Sequence, residues 1–249
     1  MSGHSKWATI KRKKEATDTK RSNMYAKLLR AVEVAAREGG GSIEGNMTLA
    51  SAVEKAKSFS VPSDNIDRAI KRGTGELGDG QKYEEIVYEG YAPGGIALLI
   101  EALTDNRNRT AQEVRHAFSR NGGNLGETGT VAWQFTRKGV IVVEKDVAPD
   151  EEHLLELALE GGAEDLNDSE SSWDIITGPQ DFKRVQAALE AAGVPIFSAE
   201  LSMIPQSTIP VAGSEANQVL RLLEALEELD DVQNVYANFD IPEEVMAAL

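Results

Sequence analysis

The sequence contains no cysteine and only three histidines, which limits the kinds of covalent, catalytic and metal-binding sites that this protein can form. Without cysteine there is no disulfide, thiol nucleophile, cysteine–zinc module or iron–sulfur cluster. His4, His116 and His153 are too far apart in the sequence to match the spacing of a metal motif. The chain also has no G-x-S-x-G nucleophile motif, so we expect no enzyme activity, no cofactor, no metal and no small-molecule substrate.

Long apolar runs are absent as well. The longest, 94–100, is too short to span a bilayer, and the first residues lack the apolar core of a signal peptide. We therefore expect a cytoplasmic protein with no membrane partner. With 41% hydrophobic and 27% charged residues, the composition is that of a globular chain, and 249 residues are enough for two or three domains.

Charge is distributed very unevenly along the chain. The first thirty residues hold nine basic and two acidic side chains, a net charge of +7, whereas the whole chain carries −15. The other 219 residues therefore sum to −22. This asymmetry is typical of a polyanion-binding segment on an acidic body, and the abundant polyanion in cells is nucleic acid. Four adjacent cations form its densest part: Lys11, Arg12, Lys13 and Lys14.

Residues 1–72 are predicted to be helical and basic. Apolar side chains at i, i+3, i+4 and i+7 predict a helix over 19–38, which the following glycines end. Most basic side chains of this helix lie opposite its apolar side, and Arg21 lies beside it. Four basic residues of this helix are candidate nucleic-acid contacts: Lys20, Arg21, Lys27 and Arg30.

Two shorter helices are expected to cover the first. Asn46 is placed to cap the start of one, and Ser63 the start of the other, which ends at Gly73. The glycine-rich stretch 73–80 that follows is predicted to be a linker.

Beyond residue 80 the pattern changes to strands alternating with helices. Strands are predicted at 84–91, 96–103, 130–135, 140–144, 163–167, 172–177, 196–203 and 232–239, and helices at 110–120, 150–160, 179–192 and 214–229. The central part has the β-α-β-β-α-β order of a ferredoxin-like unit. We expect an α+β fold: a helical N-terminal domain followed by two ferredoxin-like α+β domains, the second inserted into the first. The predicted domains are 1–75, then 81–135 with 206–241, and 139–204 as the insertion.

A second cluster of cations lies between a predicted strand and the helix after it. Arg107 and Arg109 are two of only 11 basic residues that follow residue 80. A helix N-terminus with flanking arginines is suited to bind an anion, but such arginines also pair with neighbouring carboxylates, and both interpretations stay open. The glycine-rich loops 121–126 and 127–129 are expected to be turns. The acidic run Glu224, Glu227, Glu228, Asp230 and Asp231 is expected to be a solvated helix face, and it could also repel nucleic acid and so confine contact to the basic segment.

Several long motifs resemble one family. GHSKW near the start, KRKK and DTKR behind it, AAREGGG, VPSDNIDRAIKRGTGE, YEEIVYEGYAPGGIALLIEALTDNRNRT and GGNLGETGTVAWQF are similar to the YebC family. The resemblance is close over 2–135 and looser beyond, through IPQSTIPV. Thr9 departs from the pattern, in which we expect an asparagine.

The resemblance implies three domains and binding to nucleic acid. Bacterial members are described as cytoplasmic DNA-binding transcriptional regulators, mitochondrial members as translational activators, and some bacterial members as ribosome-associated factors that relieve stalling at proline-rich stretches. None is established as an enzyme. The implied contacts are His4, Lys6, Trp7, Lys11, Arg12, Lys13 and Lys14, together with Arg107 and Arg109.

The sequence leaves two functions open within one class, regulation of gene expression by nucleic-acid binding. A DNA-binding transcriptional regulator fits the family description, although no helix-turn-helix recognition helix is evident and the acidic body would oppose approach to a duplex. A translation factor that binds ribosomal RNA or the ribosome explains a basic segment well, because that RNA offers dense phosphate and irregular pockets. An enzyme is the remote third hypothesis.

Overall fold

The computed structural model describes residues 18–78, 82–169 and 171–241. Contacts along the chain divide these residues into two compact units. What we call the first unit comprises the described residues of 18–130 and 214–235, and the second unit those of 131–213 and 236–241. The seven predicted contacts from His4 to Lys14 lie outside the described residues.

Three helices begin the first unit, as the sequence predicts: α1 (Asp18–Gly39), α2 (Met47–Ser58) and α3 (Ser63–Gly73). Asn46 caps α2, since its Oδ1 accepts from the Leu49 amide at 3.0 Å. The predicted Ser63 cap is wrong. Pro62 occupies the cap position of α3, and no side chain makes a capping hydrogen bond there.

The three helices bury one apolar cluster, because each has apolar side chains repeating on one side. Leu28, Val32, Leu49, Val53 and Ile66 are among its buried members. The contact between α1 and α3 is especially close at Gly73. A Cβ atom there would lie 2.3 Å from the Glu33 carbonyl oxygen, so only glycine fits without moving a helix.

The remaining elements alternate between strands and helices, which makes this an α+β protein. In chain order they are β1 (Glu84–Ala92), β2 (Ile96–Thr104), α4 (Arg107–Arg120), β3 (Asn124–Leu125), β4 (Phe135–Glu144), α5 (Glu151–Gly161), β5 (Ala163–Ser169), β6 (Ser172–Thr177), α6 (Phe182–Ala191), β7 (Ser198–Pro205), β8 (Ile209–Pro210), α7 (Gly213–Glu227), β9 (Val232–Ala237) and β10 (Phe239–Asp240). Short 3₁₀ turns lie at Pro93–Gly95 and Ala132–Gln134.

One four-stranded sheet has the order β3-β1-β2-β9. β1 and β2 form an antiparallel hairpin in continuous register, from Glu84 opposite Thr104 to Ala92 opposite Ile96. β2 is apolar and buried along almost its whole length, which is typical of a central strand with both faces covered.

The second unit contains a sheet of order β5-β6-β4-β7. Its chain order is β4-α5-β5-β6-α6-β7, and β4 pairs antiparallel with both β6 and β7. Side chains from α5 and α6, such as Leu154 and Leu189, pack with Ile141 and Ile175 of the sheet in one buried cluster. A small parallel pair, β8 with β10, completes the described part of this unit.

The strand predicted at 130–135 is wrong. The Thr130 hydroxyl donates to the Glu127 carbonyl at 2.5 Å, and the Gln134 amide donates to the Val131 carbonyl at 2.9 Å. These local bonds close turns in place of a sheet ladder. The edge strand of the first sheet is instead β3, in a glycine-rich loop expected to be a turn, where Asn124 lies opposite Tyr91.

Candidate nucleic-acid interface

Helix α1 carries four of the predicted contacts, and its packing determines where three of their side chains go. Leu28 and Val32 bury its apolar side against α2 and α3. Arg21 is exposed, whereas Lys27 and Arg30 are partly buried against other residues of the first unit. The Lys27 ammonium donates to the Glu227 carbonyl at the end of α7. Lys20 is in the helix, and its side chain lies outside the described part.

Arg30 is held by a set of acceptors around the start of β9. Its Nη1 donates to Asp231 Oδ1 at 2.9 Å, to the Asp230 carbonyl at 2.9 Å and to the Leu103 carbonyl at 3.1 Å. The guanidinium also lies 5.1 Å from the ring centroid of Tyr83, within range of a cation–π interaction. Arg30 therefore joins α1 to the sheet.

Arg109 contacts the same carboxylate from the other side. Its Nη2 donates to Asp231 Oδ2 at 2.6 Å and to Asp105 Oδ1 at 2.8 Å. The hydroxyls of Thr104 and Thr110 also donate to Asp231 Oδ2, at 3.1 and 2.7 Å. We call these five residues the Asp231 cluster: Asp231, Arg30, Arg109, Thr104 and Thr110.

The Asp231 carboxylate is only 2% exposed, yet it is stabilised as an anion. Burial acts to raise the pKa of Asp231, but hydrogen bonds from Arg109, Thr110 and Thr104, with the charge of Arg109, lower it below its ordinary value. In turn, the hydrogen bonds to Asp231 and Asp105 raise the pKa of Arg109. The expected solvated helix face is thus wrong for Asp231, because α7 ends at Glu227 and Asp231 lies buried just before β9.

Arg107 differs from Arg109, although both lie in the first turn of α4. Its side chain is 70% exposed, and its Nη1 lies 3.8 Å from Glu84 Oε2. The N-terminus of α4 is already capped, since Asn106 Oδ1 accepts from the Arg109 amide at 3.2 Å. Both arginines therefore lie beside carboxylates: Arg109 is hydrogen-bonded to Asp231 and Asp105, and the largely exposed Arg107 forms a longer ion pair with Glu84.

Sequence reasoning missed two buried acids that organise the basic residues. Asp231 lies 122 positions from Arg109, and no sequence pattern connects them. Glu33 is 6% exposed on α1 and accepts from Arg37 Nη2 and Arg72 Nε, both at 3.1 Å. The position of Glu33 within the apolar stripe of α1 could have revealed it from the sequence. A carboxylate there is expected to be buried, and carboxylates are rarely buried without a cationic partner.

Metal-ligand groups and membrane-spanning helices are both absent from the described residues. Across 18–78, 82–169 and 171–241, no three or more histidine or acidic side chains are grouped so as to hold a metal ion. In the same ranges, no helix is both long enough and apolar enough to cross a bilayer.

Fold and charge together define an α+β protein in which the described residues 18–78 form three helices and the first thirty residues are strongly basic. Two family descriptions match it. "TACO1/YebC protein N-terminal domain" matches residues 5–76, and "TACO1/YebC second and third domain" matches residues 83–239. The chain belongs to the TACO1/YebC family, which confirms the resemblance described above.

Similar proteins span the whole chain. A protein of Syntrophus aciditrophicus is 54% identical over 249 residues, covering 100% of this chain and 99% of the relative. One of Pelotomaculum thermopropionicum is 58% identical over 242 residues, covering 97% and 99%. Both are named "Probable transcriptional regulatory protein". Among solved structures, the conserved hypothetical protein Aq1575 of Aquifex aeolicus has a TM-score of 0.81 at 49% identity, covering 92% of this chain and 93% of that chain.

Proposed function

We propose that this protein is a cytoplasmic, DNA-binding transcriptional regulator that contacts the phosphate backbone through its basic N-terminal region. The observation that carries the proposal is the charge segregation, +7 in the first thirty residues against −22 in the rest. The name "Probable transcriptional regulatory protein", which both relatives carry, supports this class of function. It acts by binding, with no catalytic step.

The physical basis of the contact is release of counterions from phosphate. Each lysine or arginine that neutralises a phosphate frees a condensed cation, so affinity is gained with little geometric precision. The acidic remainder of the chain repels the same phosphates and confines contact to the basic end. Of the thirteen contacts predicted from the sequence, the seven from His4 to Lys14 supply the main anchor in this proposal.

The described contacts divide the other six by role. Arg21 and Arg107 are exposed and suited to reach phosphate directly. Lys27, Arg30 and Arg109 already have acceptors within the first unit, and we propose that they hold α1 and α4 in place. Lys20, in the first turn of α1, extends the basic stretch towards Arg21.

The architecture proposed for this function has three domains. They are a basic helical domain (1–75), an α+β domain (81–135 with 206–241) and a second α+β domain (139–204) inserted into it. Both α+β domains are ferredoxin-like in this proposal. The β4-α5-β5-β6-α6-β7 chain order and the β5-β6-β4-β7 sheet order support this for the insertion.

A comparison of nucleic acids across a salt series tests the proposal. The full chain is titrated with promoter fragments, scrambled duplexes of equal length and ribosomal RNA fragments, while ribosome cosedimentation is followed during active translation. A transcriptional regulator retains preference for particular duplexes at physiological salt. Preference for RNA together with ribosome cosedimentation would instead establish a translation factor.

A further inference from the structure

Helix α4 concentrates cations in the acidic part of the chain. Of the 26 basic and 41 acidic residues, 15 and 10 lie in 1–80, which leaves 11 basic and 31 acidic residues and a net charge of −20 for 81–249. Four of those 11 cations are arginines of the 14-residue α4, whose one acidic residue is Glu113. The helix therefore carries +3 in a strongly negative part of the chain, and this charge complements a polyanion.

One side of α4 is buried and the other is exposed. Val114 and Phe118 are fully buried. At about 100° per residue, Asn108, Gln112 and Arg115 lie within about 60° of one another on the exposed side. We call these three residues the α4 row. Their side chains have no hydrogen-bond or ion-pair partner within the part of the chain that the structure describes, so their donors and acceptors are available to a ligand.

The helix that carries this row is fixed at both ends. Asn106 caps its N-terminus, and Arg109 in the first turn is hydrogen-bonded to the buried Asp231. At the other end, Asn121 Nδ2 donates to the Ala117 carbonyl at 2.8 Å. The α4 row is thus presented by a rigid element, which lowers the entropy lost on binding.

Amides and a guanidinium with no carboxylate among them match the edges of base pairs. In the major groove of DNA, asparagine and glutamine bind adenine and arginine binds guanine, each through two hydrogen bonds. That groove admits an α-helix, and the α4 row spans about 10 Å along its axis, the length of about three base-pair steps. The exposed side of α5 differs, since it carries four glutamates: Glu151, Glu152, Glu156 and Glu160. The α4 row therefore has the chemistry of a helix that reads base pairs.

We propose that the α4 row reads base edges in the major groove of duplex DNA. This inference rests on the proposed function, because its ligand is the DNA that the basic end anchors, and it adds the sequence preference that counterion release does not supply. Arg107, largely exposed at the start of α4, contacts the adjoining phosphate. Duplex RNA is not read in this way, since its major groove is too deep and narrow for side chains.

Selection from a randomised library of DNA duplexes tests this site in the full chain. The duplex that the wild type enriches at physiological salt, its scrambled version and an RNA duplex of the same sequence are titrated with each protein. The test variant combines Asn108→Ala, Gln112→Ala and Arg115→Lys, which keeps the charge of α4 but removes the paired hydrogen-bonding groups. We expect it to bind the enriched duplex at least about tenfold more weakly, the magnitude of one lost bidentate contact. Affinity for the scrambled duplex and the salt slope should match the wild type, since no phosphate contact is lost.

A matched variant controls for changes at the exposed surface. Gln218→Ala combined with Arg221→Lys alters two exposed residues of α7, in the same unit, and should leave every affinity unchanged. The reading site is overturned if the test variant binds the enriched duplex as well as this control does, loses affinity equally for the enriched and scrambled duplexes, or if the RNA duplex binds the wild type as tightly as the DNA. A wild type that enriches no duplex contradicts the proposed function itself, so the two failures are distinguishable.

Discussion

At the scale of single residues, Asp231 brings together side chains from α1, β2 and α4. Its two carboxylate oxygens accept from Arg30 and Arg109, and two threonine hydroxyls supply further hydrogen bonds. A buried carboxylate is tolerated only when its charge is matched and its lone pairs are occupied. The cluster meets both conditions, so its loss should weaken the first unit as a whole.

Replacing Asp231 by asparagine should lower the free energy of unfolding by about 2–3 kcal/mol, because the charge-assisted hydrogen bonds from the two arginines are lost. Urea denaturation of both proteins measures the difference. Asp230→Asn is the matched control, since Asp230 is the exposed neighbouring acid and its substitution should change stability by less than about 0.5 kcal/mol. Equal effects of the two substitutions would show that the Asp231 cluster contributes no more to the free energy of unfolding than an exposed aspartate does.

The lowered pKa of Asp231 also predicts the dependence of this contribution on pH. A carboxylate whose pKa is lower in the folded state stabilises the protein above its unfolded pKa, about 3.9 for aspartate. That contribution is lost as the pH falls through the lower, folded pKa. The stability gap between the wild type and Asp231→Asn should therefore be constant from pH 5 to 7 and shrink below about pH 4. A gap that widens on acidification would contradict the cluster as described.

At the scale of helices and strands, much of the fold could be predicted, because the spacing of apolar residues along the sequence indicates which side of each element is packed. The apolar repeat of α1 and the Asn46 cap of α2 are confirmed, since both depend on residues close in sequence. The 130–135 segment alternates like a strand, yet its backbone bonds close turns. The Asp231 cluster could not be predicted either, because contacts between residues more than a hundred positions apart leave no local pattern in the sequence.

The close contact of α1 with α3 predicts the effect of a single added methyl group. Gly73→Ala should destabilise the protein by about 1–3 kcal/mol, because its Cβ would lie 2.3 Å from the Glu33 carbonyl oxygen and 2.8 Å from the Ala36 Cβ. Gly45→Ala is the control, since its nearest atom would be 3.6 Å away. Thermal unfolding of both variants gives the comparison. A Gly73→Ala protein as stable as Gly45→Ala would mean that the helices separate freely.

At the scale of the whole molecule, charge segregation is the feature that connects sequence to function. It was evident from the sequence, as was the family, since both depend on residue types and their order. The sequence did not reveal that three of the predicted contacts, Lys27, Arg30 and Arg109, hydrogen-bond to groups within the first unit. We therefore propose two separate roles: the basic end binds phosphate, and these three cations hold α1 and α4 in place.

The most direct test of this account is the salt dependence of DNA binding when four cations are removed together. Replacing Lys11, Arg12, Lys13 and Lys14 by alanine should weaken binding to every duplex and flatten the slope of log K against log[salt] by about three to four units. The matched control removes four exposed cations from elsewhere: Arg115, Arg120, Lys183 and Arg221. The account predicts that this control leaves the slope nearly unchanged. If both quadruple variants, or neither, flattened the slope, the basic end would not be the anchor.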